Sequence, residues 1–205
     1  SRQKTPRSHG RHSAMTLQEL RSLVRRRMRD NGTPPLIDDD EIDANLNEAQ
    51  REACVRALLI EDDVDLDVTT ADLRYKLAPE VIDVTGISTS AGNQFCDAWT
   101  LTETHLELAR LPTADDTLTL RCYLLPDDMV ADADEPQIRP VYHVQMADWA
   151  ISRCYLLPDS ELFDEQAAQR YEARFVQSFG ERPNALTHRN RRSKPAKCIV
   201  NNGYI

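Results

Sequence analysis

Long apolar runs are missing from this chain, and so are most of the usual carriers of chemistry. No stretch of about 18 apolar residues occurs, so no membrane span is expected. Six glycines leave no Gly-rich phosphate loop. The G-x-S-x-G, H-E-x-x-H and EF-hand patterns are absent. The five cysteines, Cys54, Cys96, Cys122, Cys154 and Cys198, form no C-x-x-C pair, and their odd number argues against a disulfide framework or a zinc site. Free thiols in a reducing cytoplasm are the expectation, with Cys54 and Cys154 acting as small buried hydrophobes. His9, His12, His105, His143 and His188 stand apart from one another and from metal-ligand spacing. His143 is expected to be a hydrogen-bonded structural histidine. The residues therefore call for no cofactor and no metal, and they point away from an enzyme.

What is present is charge, unevenly spread. The net charge is −9. Residues 1–30 carry nine Lys/Arg and two acids, residues 31–180 ten and thirty-one, and residues 181–205 six and one. An acidic body with two basic ends suggests ends that contact something anionic, either nucleic acid or an acidic protein surface. The start, SRQKTPRSHGRH, is basic but has no apolar h-region, so it does not read as a secretory signal. Residues 1–14 are expected to form a flexible arm, with Met15 a candidate natural start.

The chain is organised around one long helix predicted from Asp38 to Ile60. Asp38 is the expected N-cap, Glu41 falls at N3, and Ile37 and Ile42 occupy the hydrophobic-staple positions. Asp39, Asp40 and Glu41 crowd the first turn, where the macrodipole favours negative charge; capping explains these acids more simply than a cation site does. Ile42, Leu46, Ala49, Ala53, Ala57 and Ile60 make one apolar stripe on a rod of roughly 35 Å. A shorter helix precedes it, from Thr16 to Arg29. Thr16 and Glu19 form a capping-box pair, Leu17, Leu20, Leu23, Val24 and Met28 form the stripe, and Asn31-Gly32 is the expected stop. Arg21, Arg25 and Arg29 line another face with Arg26 and Arg27 beside them. Arg21, Arg25, Arg26 and Arg29 are candidates for inter-subunit or nucleic-acid contact, against the simpler reading of a solvated face.

After Glu61-Asp62-Asp63, expected to close the long helix, the period changes from 3.6 to 2. Val64, Leu66 and Val68 alternate with acids, and short strands follow at Leu73–Leu77, Val81–Ile87, Phe95–Leu101, His105–Ala109 and Thr117–Leu124. They predict one small antiparallel sheet. The acidic stretch from Asp127 to Pro140 lacks calcium-loop spacing and reads as a loop. A largely buried helix is predicted over Val141–Leu156, broken by Pro158. The last helix is expected to start at Asp159 or Ser160 and run to Phe179 with Phe163, Ala167, Tyr171, Phe175 and Phe179 on one stripe, stopped by Gly180. The tail then holds Arg189, Arg191, Arg192, Lys194 and Lys197, followed by the strand-forming Ile199, Val200, Tyr204 and Ile205. Extended, this tail could reach about 80 Å, and a strand added to a partner's sheet suits its end.

The fold class expected is therefore α+β: a four-helix bundle (15–63 and 138–180) with an antiparallel β domain (64–130) inserted between the second and third helices, and an extended tail (181–205). Three phrases in this order resemble the head-to-tail adaptor, or connector, proteins of tailed bacteriophages. They are IDDDEIDANLNEAQREA at 37–53, DEPQIRPVYHVQMADWAISRCYL at 134–156 and ELFDEQAAQRYEARFVQSFGERPNA at 161–185; LPTADDTLTLRCY at 111–123 also fits. The resemblance implies a structural virion protein made in the host cytoplasm. It would form a homo-oligomeric ring, usually of twelve copies, beneath the portal protein. DNA would pass through its channel without sequence-specific binding, and no membrane would be involved. It further implies that Arg189 to Ile205 dock into the portal and that the sheet faces a tail nozzle or tube protein. The acidic body would suit a channel wall that does not hold phosphate. The alternative on the residues alone is a cytoplasmic nucleic-acid-binding or regulatory protein using its basic ends, marked by steep salt dependence.

Overall fold

The computed structural model describes residues 13–95, 97–158 and 160–187. Within them the chain is α+β, with four α-helices, one short 3₁₀ helix and two three-stranded antiparallel sheets. It divides into two compact units, 13–50 with 128–178 and 51–127 with 179–187.

The first unit opens with α1 (Leu17–Met28). Its start follows the local rule. The Thr16 hydroxyl accepts the Glu19 N–H at 3.3 Å and the Glu19 carboxylate accepts the Thr16 N–H at 3.0 Å. Leu17, Leu20, Leu23, Val24 and Met28 are all buried, as the spacing predicts. The stop differs from expectation. Arg29, with φ 62°, takes the left-handed position, and the Asp30 N–H bonds back to the Arg25 carbonyl at 3.0 Å, so the last turn closes before Asn31-Gly32 is reached.

Helix α2 (Asp39–Ala57) gives residues 39–50 to this unit and 51–57 to the other. The Asp38 carbonyl accepts the Ile42 N–H at 3.3 Å, the bond an N-cap residue makes, and both staple positions, Ile37 and Ile42, are buried. The Glu41 side chain accepts from Asn45 at 3.2 Å. Its end is earlier than the acids suggested. Leu58 has φ 51° and its N–H bonds to the Cys54 carbonyl at 2.8 Å, so Ala57 is exposed and Ile60 lies outside the helix. Glu61-Asp62-Asp63 belong to the following strand.

Helix α3 (His143–Tyr155), led in by a 3₁₀ turn (Pro140–Tyr142), is buried on most sides, as its composition predicts. It packs against α1. His143 is structural: Nδ1 accepts the Met15 N–H at 3.0 Å and Nε2 lies 3.0 Å from the Ile138 carbonyl, so the partners assign the proton to Nε2. Helix α4 (Glu165–Phe179) starts later than Asp159 or Ser160. Asp164 is the cap; its carboxylate accepts the Ala167 N–H at 2.9 Å and its carbonyl the Ala168 N–H at 3.0 Å. Phe163 consequently stands outside the helix and is exposed. Ala167, Ala168, Phe175 and Phe179 form the buried stripe, and Phe175 meets Trp149 with ring centroids 4.9 Å apart.

The second unit holds β1 (Glu61–Val68), β2 (Arg74–Lys76), β3 (Val81–Ser88), β4 (Trp99–Leu101), β5 (His105–Leu108) and β6 (Asp116–Leu124). They form two sheets rather than the single one expected, in the orders β1-β6-β3 and β2-β5-β4. One sheet of such strands would leave its apolar face to water. Split in two, Val68, Val84, Leu118 and Leu120 share one core with Tyr75, Trp99, Leu101 and Leu106. Two register shifts in β3, at Val81/Asp83 and Val84/Gly86, explain why Val81, Val84 and Ile87 all face inward although three residues apart.

The three described thiols lie within these packed regions. Burial pushes Cys54 up to about 12 and Cys154 up to about 11; Cys122 is raised to about 12 by burial, with Asp63 and Asp83 adding to it. A raised thiol pKa depletes the thiolate, the reactive species, at neutral and mildly alkaline pH. At pH 8, alkylation of Cys54, Cys122 and Cys154 is expected to run at least about a hundredfold slower in the folded chain than in urea. Mass spectrometry of labelled peptides reads this directly.

Candidate functional site

The arginines of α1 are the first candidate contact surface, and the fold sorts them into two groups. Arg21 and Arg25 point at α2. Arg21 Nε donates to Asp43 Oδ1 at 2.8 Å, its NH2 group donates to the other oxygen of the same carboxylate, and its NH1 group reaches Asp132 at 3.1 Å. The Arg21–Asp43 pair is thus bidentate, the strongest geometry a guanidinium offers a carboxylate. Arg25 donates to Asp39, to the Ile37 carbonyl at 2.8 Å and to Asp30 at 2.7 Å. Asp30 is 3% exposed. Its carboxylate also accepts the Leu36 N–H at 2.8 Å and the Ile37 N–H at 3.3 Å, tying the α1–α2 connection to the helix before it.

Arg27 turns the other way and donates to Asp148 at 2.7 Å. Burial pushes the Asp148 carboxyl up, against the opposing pull of Arg27 and then Arg174. Arg26 and Arg29 are exposed. Of the four arginines expected to make external contacts, the structure therefore gives two internal carboxylate partners and leaves two facing solvent. The pairing had a readable signal. Arg21 and Arg25 on one helix, and Asp39 and Asp43 on the next, share the i, i+4 spacing that two adjacent antiparallel helices bring into register. Asp30 as the hub had no such signal.

In the second unit, β1 shows a one-sided charge pattern. Val64, Leu66 and Val68 share one face, with the exposed Asp62 at its start, and Glu61, Asp63, Asp65 and Asp67 lie on the other, outward face. Thr119 and Thr117 of β6 donate hydroxyls to Asp65 and Asp67 at 3.0 and 2.8 Å, and Arg121 lies 3.8 Å from both Glu61 and Asp63. Fifteen acidic side chains stand against six basic ones over 51–127.

The same unit carries an apolar groove of about 1240 Å³. Val55 of α2, Val81 and Ile82 of β3, Leu101 of β4 and Leu125 line it, and residues 182–185 form part of its wall. The root of the tail is held there. Gly180 takes φ 83° after α4, its carbonyl accepts from Arg56 at 3.1 Å, and Arg182 lies 3.4 Å from Glu52, itself paired with Arg56 at 3.2 Å. Beyond it, Asn184 caps a helical turn at residues 185–187 by accepting the Thr187 N–H at 2.8 Å. Arg189, Arg191, Arg192, Lys194, Lys197, Ile199, Val200, Tyr204 and Ile205, the expected docking residues, lie outside the described residues. Among the described residues no group of three His, Cys, Asp or Glu side chains is placed to hold a metal ion, and no helix is long and apolar enough to cross a membrane.

The sequence pattern of the SU10 adaptor protein family matches residues 15–197, which takes in all four helices, both sheets and the basic run of the tail. The chain belongs to that family. Its members are phage head-to-tail adaptors, structural rather than enzymatic proteins of the virion neck that interact with portal and tail components. A comparison with curated proteins finds no match. In this adaptor the match begins at the α1 capping box and ends before Cys198, so the apolar tip at 199–205 lies beyond it.

The two arginine groups should separate in stability measurements. Asp30→Ala takes the Asp30 acceptor from Arg25, which keeps Asp39 and the Ile37 carbonyl, and leaves the Leu36 and Ile37 N–H groups without that carboxylate; it is expected to cost about 1–3 kcal/mol by urea unfolding. Arg26→Ala removes an exposed side chain and is expected to stay within about 0.5 kcal/mol of the parent.

Proposed function

We propose that this adaptor forms a ring, of twelve copies, beneath the portal and joins it to the tail, with the genome passing through the ring. The family match over residues 15–197 carries this reading. In it, the four helices form a bundle into which the β region is inserted. Residues 189–205 dock into the portal, and the sheets meet a tail nozzle or tube protein. The free chain is made in the host cytoplasm and joins the neck when the portal is present.

The structure supports this reading over a nucleic-acid binder on one specific point. A phosphate-binding helix needs unpaired cations to release counterions from DNA, and Arg21 and Arg25 are already engaged by Asp43, Asp39 and Asp30. Contact with a neighbouring copy falls instead to the exposed Arg26 and Arg29. The carboxylates of β1 fit a surface past which phosphate slides without being held.

Native mass measurement of the chain mixed with its cognate portal tests the proposal. A ring-sized complex is expected with the full chain, and its loss is expected on deletion of residues 186–205. Absence of any complex, together with DNA binding whose logarithmic salt slope is about −0.9 per neutralised phosphate, would overturn it in favour of the nucleic-acid reading.

A further inference from the structure

The groove in the second unit has an apolar lining but no occupant assigned by the adaptor role. It opens where the two sheets stop: β3 is a terminal strand of one and β4 of the other. Val55, Val81, Ile82, Leu101 and Leu125 supply most of its apolar lining, and Thr100, Thr102 and the exposed Glu103 line it too. An apolar trough between two terminal strands suits an extended, β-branched segment, which fills the trough with alternate side chains and offers its backbone to the strands beside it.

We infer that this groove binds the chain's own apolar tip, residues 199–205, before the tail is engaged elsewhere. Three observations select this occupant. The wall of the groove at 182–185 is the root of the same tail, fastened by Arg182 to Glu52. The thirteen residues from 186 to 198 join that root to Ile199 and reach about 43 Å at full extension, enough chain to fold back and set the tip beside its own root. The tail's chemistry also complements the unit. Past Thr187 it carries Arg189, Arg191, Arg192, Lys194 and Lys197 with no acid, then Ile199, Val200, Tyr204 and Ile205. Residues 51–127 offer fifteen acids against six bases. A basic linker lying over an acidic surface delivers the apolar end to the trough.

The consequence for assembly rests on the proposed docking role of the tail, whereas the groove contact does not. One segment cannot fill both the groove and a portal site. The groove therefore shields the apolar tip until a portal offers more burial, and docking becomes an exchange of one binding site for another.

Hydrogen exchange on the full-length chain decides the matter. The parent is compared with a full-length Ile199→Asp, Val200→Asp variant, whose changes lie outside the described residues. Peptides covering 79–87 and 99–104 are expected to exchange about tenfold more slowly in the parent, while 17–28 and 143–155 exchange alike in both. Equal exchange at the groove overturns the inference. Groove protection that disappears on dilution assigns the occupant to a second copy and overturns it as well. Portal binding by the same variant separates the two readings. Lost portal binding with unchanged groove protection defeats this inference and leaves the docking role standing. Lost groove protection with intact portal binding does the reverse.

Discussion

The Asp30 carboxylate is the point on which the helical unit turns. It is almost wholly removed from water and would be costly to bury alone. Arg25 and the backbone N–H groups of Leu36 and Ile37 satisfy it together. That single group ties the last turn of α1 to the connection that leads into α2. Once α2 is so placed, Asp39 and Asp43 come opposite Arg25 and Arg21, and Asp39, an acid that favours the first turn of α2 through its dipole, also neutralises an arginine of the neighbouring helix. Two demands that look independent, helix initiation and helix pairing, meet in one carboxylate, that of Asp39.

This sharing changes how the basic segment of an adaptor is understood. A run of arginines on a helix suggests an anionic partner, yet here part of the run is internal cement. Of the four arginines first read as contact candidates, Arg26 and Arg29 are the two left exposed. The β unit is built on the opposite principle. Its charges are turned outward along β1, and its stability comes from apolar side chains of two small sheets meeting in one core. In an assembly part this division is useful, because a partner can act on a charged face without disturbing the packing beneath it.

How much of this could be read from the residues depends on the range of the forces involved. The α1 start was legible because Thr16, Glu19 and the leucine spacing act within one turn. The same holds for the Asp38 cap, the staple at Ile37 and Ile42, the burial of α3 and the stop at Gly180. Ends set by longer-range contacts were not legible. Leu58 is held left-handed, which a branched residue does not choose locally, so the α2 end was placed too late. Asp164 outcompeted Asp159 and Ser160 as the α4 cap once the segment after Pro158 folded back, where the Asp164 N–H meets the Tyr155 carbonyl at 3.1 Å. The strands themselves were visible, but their division into two sheets depends on pairings between segments far apart in the chain, such as Glu61 with Tyr123. Of the candidate site, the arginines were found and their partners were not, and the docking residues 189–205 fall outside the described residues.

The alternating carboxylates of β1 also bear on how this protein behaves in the tube. A terminal strand is a template for another chain, and like charges along it are a guard against self-association. Side chains two residues apart on one face are separated by about 6.8 Å, within the screening length of about 8 Å at physiological ionic strength but beyond the roughly 3 Å of molar salt. The guard is therefore electrostatic and conditional. It holds in dilute buffer and weakens in concentrated salt, so the ionic history of a preparation, as much as its concentration, governs whether copies meet through this edge.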